Sequence, residues 1–388
     1  MIKREIQELL LEMMNSFPVV TITGPRQSGK TTLVRHTFPQ MDYISLEDLD
    51  SRDYAINDPR GFLAQFSGSV ILDEIQKTPS LLSYIQTIVD AEKQNGRFIL
   101  TGSNQFAYLS FIAQSLAGRT GILKLLPFSY SELLGGSLAP LNEILFQGFY
   151  PRIFDQNIRP ELFLSGYLET YVEKDVRSIT KVKDLMQFHR FLQICAGRTG
   201  QIINFNSIGN ELGVDNKTVK NWISIAQASY IIYLLPPYYK NFNKRIRKSP
   251  KLYFIDVGLA CHLLGIQNSN QLNTHPLKGE LFETFIVIEF LKSRYNQGKR
   301  SNLYYFRDNV GNEVDLIFDT GLLPIPIEIK SGQTINSEFF KSLNYFRKLE
   351  SNLDKAFLIM GNDLRQQREN NHIYGYPFIK EVINLLSD

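Results

Sequence analysis

The chain has 388 residues, 43% of them hydrophobic and 21% charged, a globular composition that at roughly 100–200 residues per domain implies two or three domains. Lys+Arg 42 against Asp+Glu 39 leaves a formal charge of only +3, so any nucleic-acid surface must be a local patch. Two cysteines and five scattered histidines give neither a disulfide framework nor zinc spacing, the first 16 residues mix charges into their apolar positions, and the longest apolar run (230–239) cannot span a bilayer. Secreted, membrane-spanning, fibrous and zinc-finger readings are set aside, and a cytoplasmic location is expected.

In chain order, residues 1–16 place Ile2, Ile6, Leu9, Leu10 and Met13 at helical spacing. Apolar runs at 19–22, 43–45, 70–72 and 98–100 alternate with helix-like stretches, the pattern of an α/β parallel sheet covered by helices. Pro127, Gly135, Gly136, Pro140 and the turn at 148–151 then punctuate the chain, which sets a first domain at 1–150. A helical stretch over 160–196 follows. Residues 207–226 read helix, turn, helix, with Gly213 at the turn and Asp215 as N-cap of a second helix starting near Lys217. Strand-like runs at 230–235 and 251–255 flank a basic loop, so this middle domain (151–268) is expected to be helical and winged-helix. Beyond an Asn-, Gln- and Ser-rich linker, residues 269–388 read as a separate α/β unit: a helix, three strands, then helix and strand.

Gly24, Pro25, Arg26, Gln27, Ser28, Gly29, Lys30 and Thr31, followed by Thr32, match GxxxxGK[ST] between a strand and a helix. Such a loop turns backbone N–H groups onto a phosphate, with Lys30 reaching the β- and γ-phosphates of ATP and Thr31 ligating Mg²⁺. The apolar run 70–72 ends in Asp73 and Glu74. At the carboxyl edge of a parallel sheet, Asp73 holds the metal through water and Glu74 polarises the attacking water. Another buried run ends at Ser103 and Asn104, either of which can sense the γ-phosphate. Arg119 is the candidate arginine finger for a neighbouring subunit, with Arg152 and Arg198 competing for similar roles.

The segments GPRQSGKTT, ILDEIQ, LTGSN and SLAGRTG resemble the P-loop NTPases of the AAA+ class, of the archaeal and bacterial AAA-14 type. GFYPRI, YLETYVEKDVRSI, SPKLYFIDVGLA and EVDLIF…PIEIK resemble the domain of unknown function usually attached to it. The resemblance implies ATP hydrolysis and a homo-oligomer, in some cases a ring.

Within the winged-helix reading, Lys217 and Lys220 lie on the second helix, beside Asn216, Thr218 and Asn221. The loop between the two strands carries Lys240, Lys244, Arg245, Arg247, Lys248 and Lys251 with no acid among them, and Tyr238, Tyr239 and Phe242 interleave. Each cation that meets a DNA phosphate, duplex or branched, adds a counterion-release contribution. In the last unit, Glu283 on a helix, Asp315 on a strand and Glu328-x-Lys330 on the next resemble the PD-(D/E)xK nuclease-like core of the restriction-endonuclease-like fold. That likeness implies a second metal site on Glu283, Asp315 and Glu328, with Lys330 activating water. The function expected from all this is an ATPase that remodels or translocates DNA, with a C-terminal domain that holds or cuts it. The alternative is a nucleotide-dependent switch acting on a protein partner.

Overall fold

The structure is a computed structural model that describes residues 2–103, 115–135, 138–172, 185–239, 248–350 and 353–387. The first sheet takes β1 (Val19–Thr23), β2 (Asp42–Ser45), β3 (Val70–Asp73), β4 (Phe98–Gly102) and β5 (Thr120–Lys124), all parallel, in the order β2-β3-β4-β1-β5. Helices cover both faces, so β1, β3 and β4 are buried along their whole length, which is why they read as unbroken apolar runs. One face packs Val19, Leu72 and Leu100 against Leu82 and Ile85 of the helix Leu81–Glu92. The other packs Val20 and Ile22 against Leu33 and Val34, and against Ile6 and Leu10 of the N-terminal segment. β5 escapes the sequence reading because it is an edge strand whose TGILK alternates buried and open residues over too short a span.

From Leu126 to Leu386 the chain shares one continuous apolar core, so the middle and C-terminal units are packed as neighbours rather than strung on a linker. In the middle, the helices Phe205–Leu212 and Asn216–Ala228 are N-capped by Asn204 and Asp215, with Asp215 Oδ1 accepting from the Thr218 amide at 2.6 Å. Trp222 packs against Phe188 and Phe191, a core role. β6 (Ile232–Leu235) and β7 (Lys251–Phe254) then pair antiparallel.

The C-terminal unit runs helix Lys278–Asn296, β8 (Leu303–Arg307), β9 (Glu313–Asp319), β10 (Pro324–Lys330), helix Lys341–Leu349 and β11 (Ala356–Met360). After it come β12 (Arg365–Arg368), β13 (Asn371–Gly375) and the helix Ile379–Ser387. The sheet order is β12-β13-β11-β10-β9-β8: an antiparallel meander of β8, β9 and β10, joined by parallel pairing to β11 and then β13. β12 is polar and largely exposed (RQQR), so it carries no apolar signal in the sequence. Among the described residues, no helix is long and apolar enough to cross a membrane.

Candidate functional site

The phosphate loop leaves β1 at Gly24, whose φ of +152° and position leave no space for a side chain: a Cβ there would lie 2.0 Å from the Leu125 carbonyl oxygen. Gly29, at φ +88°, caps the helix Lys30–Thr37 and aims its first N–H groups into the loop. Lys30, only 6% exposed, donates to the carbonyls of Gly24 at 3.1 Å and Pro25 at 2.8 Å. Ser28 Oγ is fully buried inside the loop with no hydrogen-bond partner. Over the loop lies a cavity of about 450 Å³ that takes in Arg26, Gln27, Gly29, Lys30, Thr31 and Thr32, with Asp73 and Glu74 on its far wall.

Asp73 ends β3 as the sequence led one to expect, and three hydroxyls converge on it. Thr31 Oγ1 donates to Oδ2 at 2.9 Å, Tyr43 Oη to the same oxygen at 2.7 Å, and Thr101 Oγ1 to Oδ1. Glu74 follows in the left-handed region at φ +57°, which turns its carboxylate back towards the loop. Its Oε2 accepts from Gln76 Nε2 and, at 3.3 Å, from Ser103 Oγ. Burial pushes the Glu74 carboxyl above its usual range while Lys30 and Arg26 pull against it. Ser103 therefore reaches the site through Glu74; Asn104 lies outside the described residues. The orphaned Ser28 hydroxyl, the loop amides and the hard-oxygen set of Thr31 and Asp73 suit a nucleoside triphosphate with Mg²⁺.

The three candidate arginines separate clearly. Arg119 precedes β5 at the sheet end opposite the loop, where its Nε and Nη2 grip the Asp90 carboxylate at 2.6 and 2.8 Å, so it does not face its own chain's cavity. Arg198 is held by Ser207 and Glu211. Arg152, on the short helix Pro151–Asp155, lines the cavity, with Nε donating to Gln156 at 3.0 Å. Tyr43, Thr101 and Arg4 are contributors that the sequence reading missed.

The C-terminal acids come together differently from the sequence expectation. Asp315 Oδ2 accepts from Lys330 Nζ at 3.0 Å and from the Ile329 amide at 2.9 Å, and Glu328 accepts from Lys330 at 2.6 Å and Ser342 at 2.7 Å. Glu283 instead binds Lys251 Nζ at 3.0 Å and the Tyr253 hydroxyl at 2.5 Å. Lys251 also pairs with Glu313 at 2.5 Å. Among the described residues, no three His, Cys, Asp or Glu side chains are arranged to hold a metal ion. Two ammonium groups stand among the oxygens of the expected carboxylate trio, Lys251 at Glu283 and Lys330 at Asp315 and Glu328. Lys251 must also leave the set of DNA-facing cations, because it is 2% exposed on β7. Burial first, then the Asp315 charge, pushes Glu328 up to about 8; burial does the same for Glu283, to about 7, with Lys251 opposing.

Of the expected DNA contacts, Lys217 and Lys220 are exposed on the helix Asn216–Ala228, where Lys220 lies over the Phe205 ring, and Lys248 is exposed. Lys244, Arg245 and Arg247 lie outside the described residues.

Residues 16–134 match the family described as an AAA domain (AAA_14). Residues 138–270 match a domain of unknown function (DUF8612), and 278–379 a second one (DUF4143). An uncharacterized protein of Mycobacterium tuberculosis is 29% identical over 337 residues, covering 86% of this chain and 74% of its own length. Another, from Haemophilus influenzae, is 25% identical over 333 residues, covering 76% and 80%. Among solved structures, a Walker-type ATPase of Pyrococcus abyssi covers 68% of this chain and 96% of its own at 16% identity and a TM-score of 0.47. RuvB of Thermotoga maritima covers 61% and 90% at 15% identity and a TM-score of 0.30. The matched residues 16–134 carry the five-stranded parallel sheet and the phosphate loop.

Proposed function

We propose that the chain binds ATP in the cavity over residues 24–31, hydrolyses it, and uses the cycle to act on DNA. One observation carries the first half: the Thr31 hydroxyl and the Asp73 carboxylate meet at 2.9 Å while Glu74 and Lys30 line the same cavity. In this reading Gly24 to Thr32 bind the triphosphate, Lys30 neutralises charge on it, and Glu74 orients and deprotonates the attacking water. Mg²⁺, held by Thr31 and Asp73, supplies charge neutralisation on the phosphates. Arg152 contacts the nucleotide within the chain, and Arg119, freed from Asp90, serves a neighbouring copy in a homo-oligomer.

The DNA half rests on the helix pair 205–228 with its exposed Lys217 and Lys220, on the acid-free basic run from Lys240 to Lys248, and on the helix–meander–helix–strand order of the last unit. These support a winged-helix reader and a nuclease-like platform that holds DNA. The neutralised acids argue against cleavage. The test is ATP turnover without DNA, then with duplex, single-stranded and four-way-junction DNA. A rise with one of these, abolished by Lys30→Ala, supports the reading. A flat response would leave a nucleotide switch acting on a protein partner, and absent turnover would sink both.

A further inference from the structure

Arg4 lies outside every motif of the sequence, yet it is one of the most enclosed cations among the described residues, at 4% exposure. Its Nη1 donates to the Ser28 carbonyl, inside the phosphate loop, at 2.8 Å, and its Nη2 to the Leu126 carbonyl at 2.7 Å. Its Nε stands 3.1 Å from Glu132 Oε1, and the guanidinium lies 4.9 Å from the centroid of the Phe128 ring. A Cβ on Gly29 would come within 3.7 Å of Nη1. The planar fork therefore braces the outer side of the loop, where the Ser28 and Gly29 peptides must turn their amides inward to bind phosphate.

The same residue forms the partition between two cavities. One is the phosphate cavity; the other, of about 640 Å³, is bounded by Glu132, by Asn296 of the helix Lys278–Asn296 and by Lys380 of the helix Ile379–Ser387. Glu132 accepts from the Glu5 and Ser129 amides at 2.7 and 2.9 Å. Glu5 in turn accepts from Ser131 at 2.8 Å, from Asn296 at 3.3 Å and from Lys380. Residues 4–5 thus connect the phosphate loop by direct hydrogen bonds to two helices of the C-terminal unit.

We infer that Arg4 is a positioning residue of the ATP site, and that residues 4–5 form a strap passing the loop's nucleotide-dependent conformation to the helices at 278–296 and 379–387. The inference rests on the ATP-binding reading of the loop and deepens it. Loss of the fork leaves the loop amides free to turn away from phosphate, and the loss falls on nucleotide affinity before it falls on the fold.

The decisive variant is Arg4→Lys in the full chain. It keeps the buried charge opposite Glu132 but cannot reach both carbonyls, so folding is spared while the brace is lost. Affinity for a fluorescent ATP analogue with Mg²⁺ should fall about tenfold, the equivalent of one charge-assisted hydrogen bond. The rise in melting temperature on adding ATP should shrink in parallel, and the effect should appear in KM more than in kcat. Amide exchange supplies the second reading. In the wild type, ATP should slow exchange both at 26–30 and at 379–387; in Arg4→Lys the response at 379–387 should vanish. Unchanged affinity in a folded Arg4→Lys protein overturns the positioning role. A response at 379–387 that survives the substitution overturns the strap. Wild-type protein that binds no ATP, like the Lys30→Ala control, overturns the ATP reading itself, a signature distinct from the other two.

Discussion

Tyr43→Phe isolates the contribution of the hydroxyl that nothing in the sequence announces. The side chain keeps its ring, packed beside Arg35, and loses only the donor that reaches Asp73 Oδ2 at 2.7 Å. Burial and the Asp73 carboxylate push the phenol well above its usual value, so it stays a proton donor throughout the neutral range. A hydrogen bond to an ionised group is worth about 1.5–3 kcal/mol when no substitute is available. Tyr43 is only partly buried, so water can partly replace it and the net cost falls to about 1 kcal/mol, roughly a fivefold effect. Thr101 and Thr31 continue to hold Asp73, which caps the damage. The Mg²⁺ concentration for half-maximal binding of a fluorescent ATP analogue should therefore rise about fivefold, while binding without Mg²⁺ should not move and the melting temperature of the free protein should fall by only a few degrees. An unchanged Mg²⁺ dependence would refute the positioning argument, and an equal loss without Mg²⁺ would reassign Tyr43 to the loop's general architecture.

Three further outcomes follow from the same geometry. Glu74→Gln should bind ATP normally and lose turnover by about 10²-fold or more, as measured by phosphate release; normal turnover would remove Glu74 from the chemistry. Lys251→Met leaves Glu283 and Glu313 without their buried counter-charge and should destabilise the chain by about 3–5 kcal/mol, read as a drop in denaturation midpoint; an unchanged midpoint would show the pairs to be idle. Glu283 and Glu328 titrate near 7 and 8 when folded, above their unfolded values. The stability they contribute is complete below about pH 4.5 and is lost as pH rises through those two values. The melting temperature should accordingly fall between about pH 4.5 and 8 and level off above that, and less so in Glu328→Gln; identical slopes in the two proteins would contradict this.

What the sequence made legible is what neighbouring residues decide. Strand, turn and helix around Gly24 to Thr31 lie within twenty residues, and the apolar run ending in Asp73 carries its own strand signal, so the phosphate loop and the acidic strand end beside it could be read before any fold existed. Arg4, Tyr43 and Lys251 escaped because their roles are set by partners distant in sequence: Leu126 for Arg4, Asp73 for Tyr43, and Glu283 and Glu313 for Lys251. A lone arginine near an amphipathic helix start looks like a solvated charge until the chain brings Ser28 and Glu132 to it. Lys251 misled for the same reason. Sharing a basic run with Lys248, it reads as a surface cation, and only the pairing of β7 with β6 turns it inward.

At the C-terminal acids the residue pattern can be set beside the side-chain contacts it leads to. Here Asp315 of β9 lies beside Glu328 and Lys330 of the adjacent antiparallel β10, whose alternate residues share a face. Catalysis asks for more: carboxylates open to a metal and to a phosphate. Here Lys330 and the Ile329 amide occupy the Asp315 carboxylate, Lys251 and Tyr253 occupy Glu283, and the side chains of Glu283, Asp315 and Glu328 are 13%, 12% and 8% exposed. Both lysines are held charged by these partners, well above the ordinary range, so a metal would have to displace a bound ammonium rather than enter open space. Lys251, on β7 of the middle unit, pairs with Glu283 and Glu313 of the C-terminal unit. These pairs make the cluster a joint between the middle and C-terminal units.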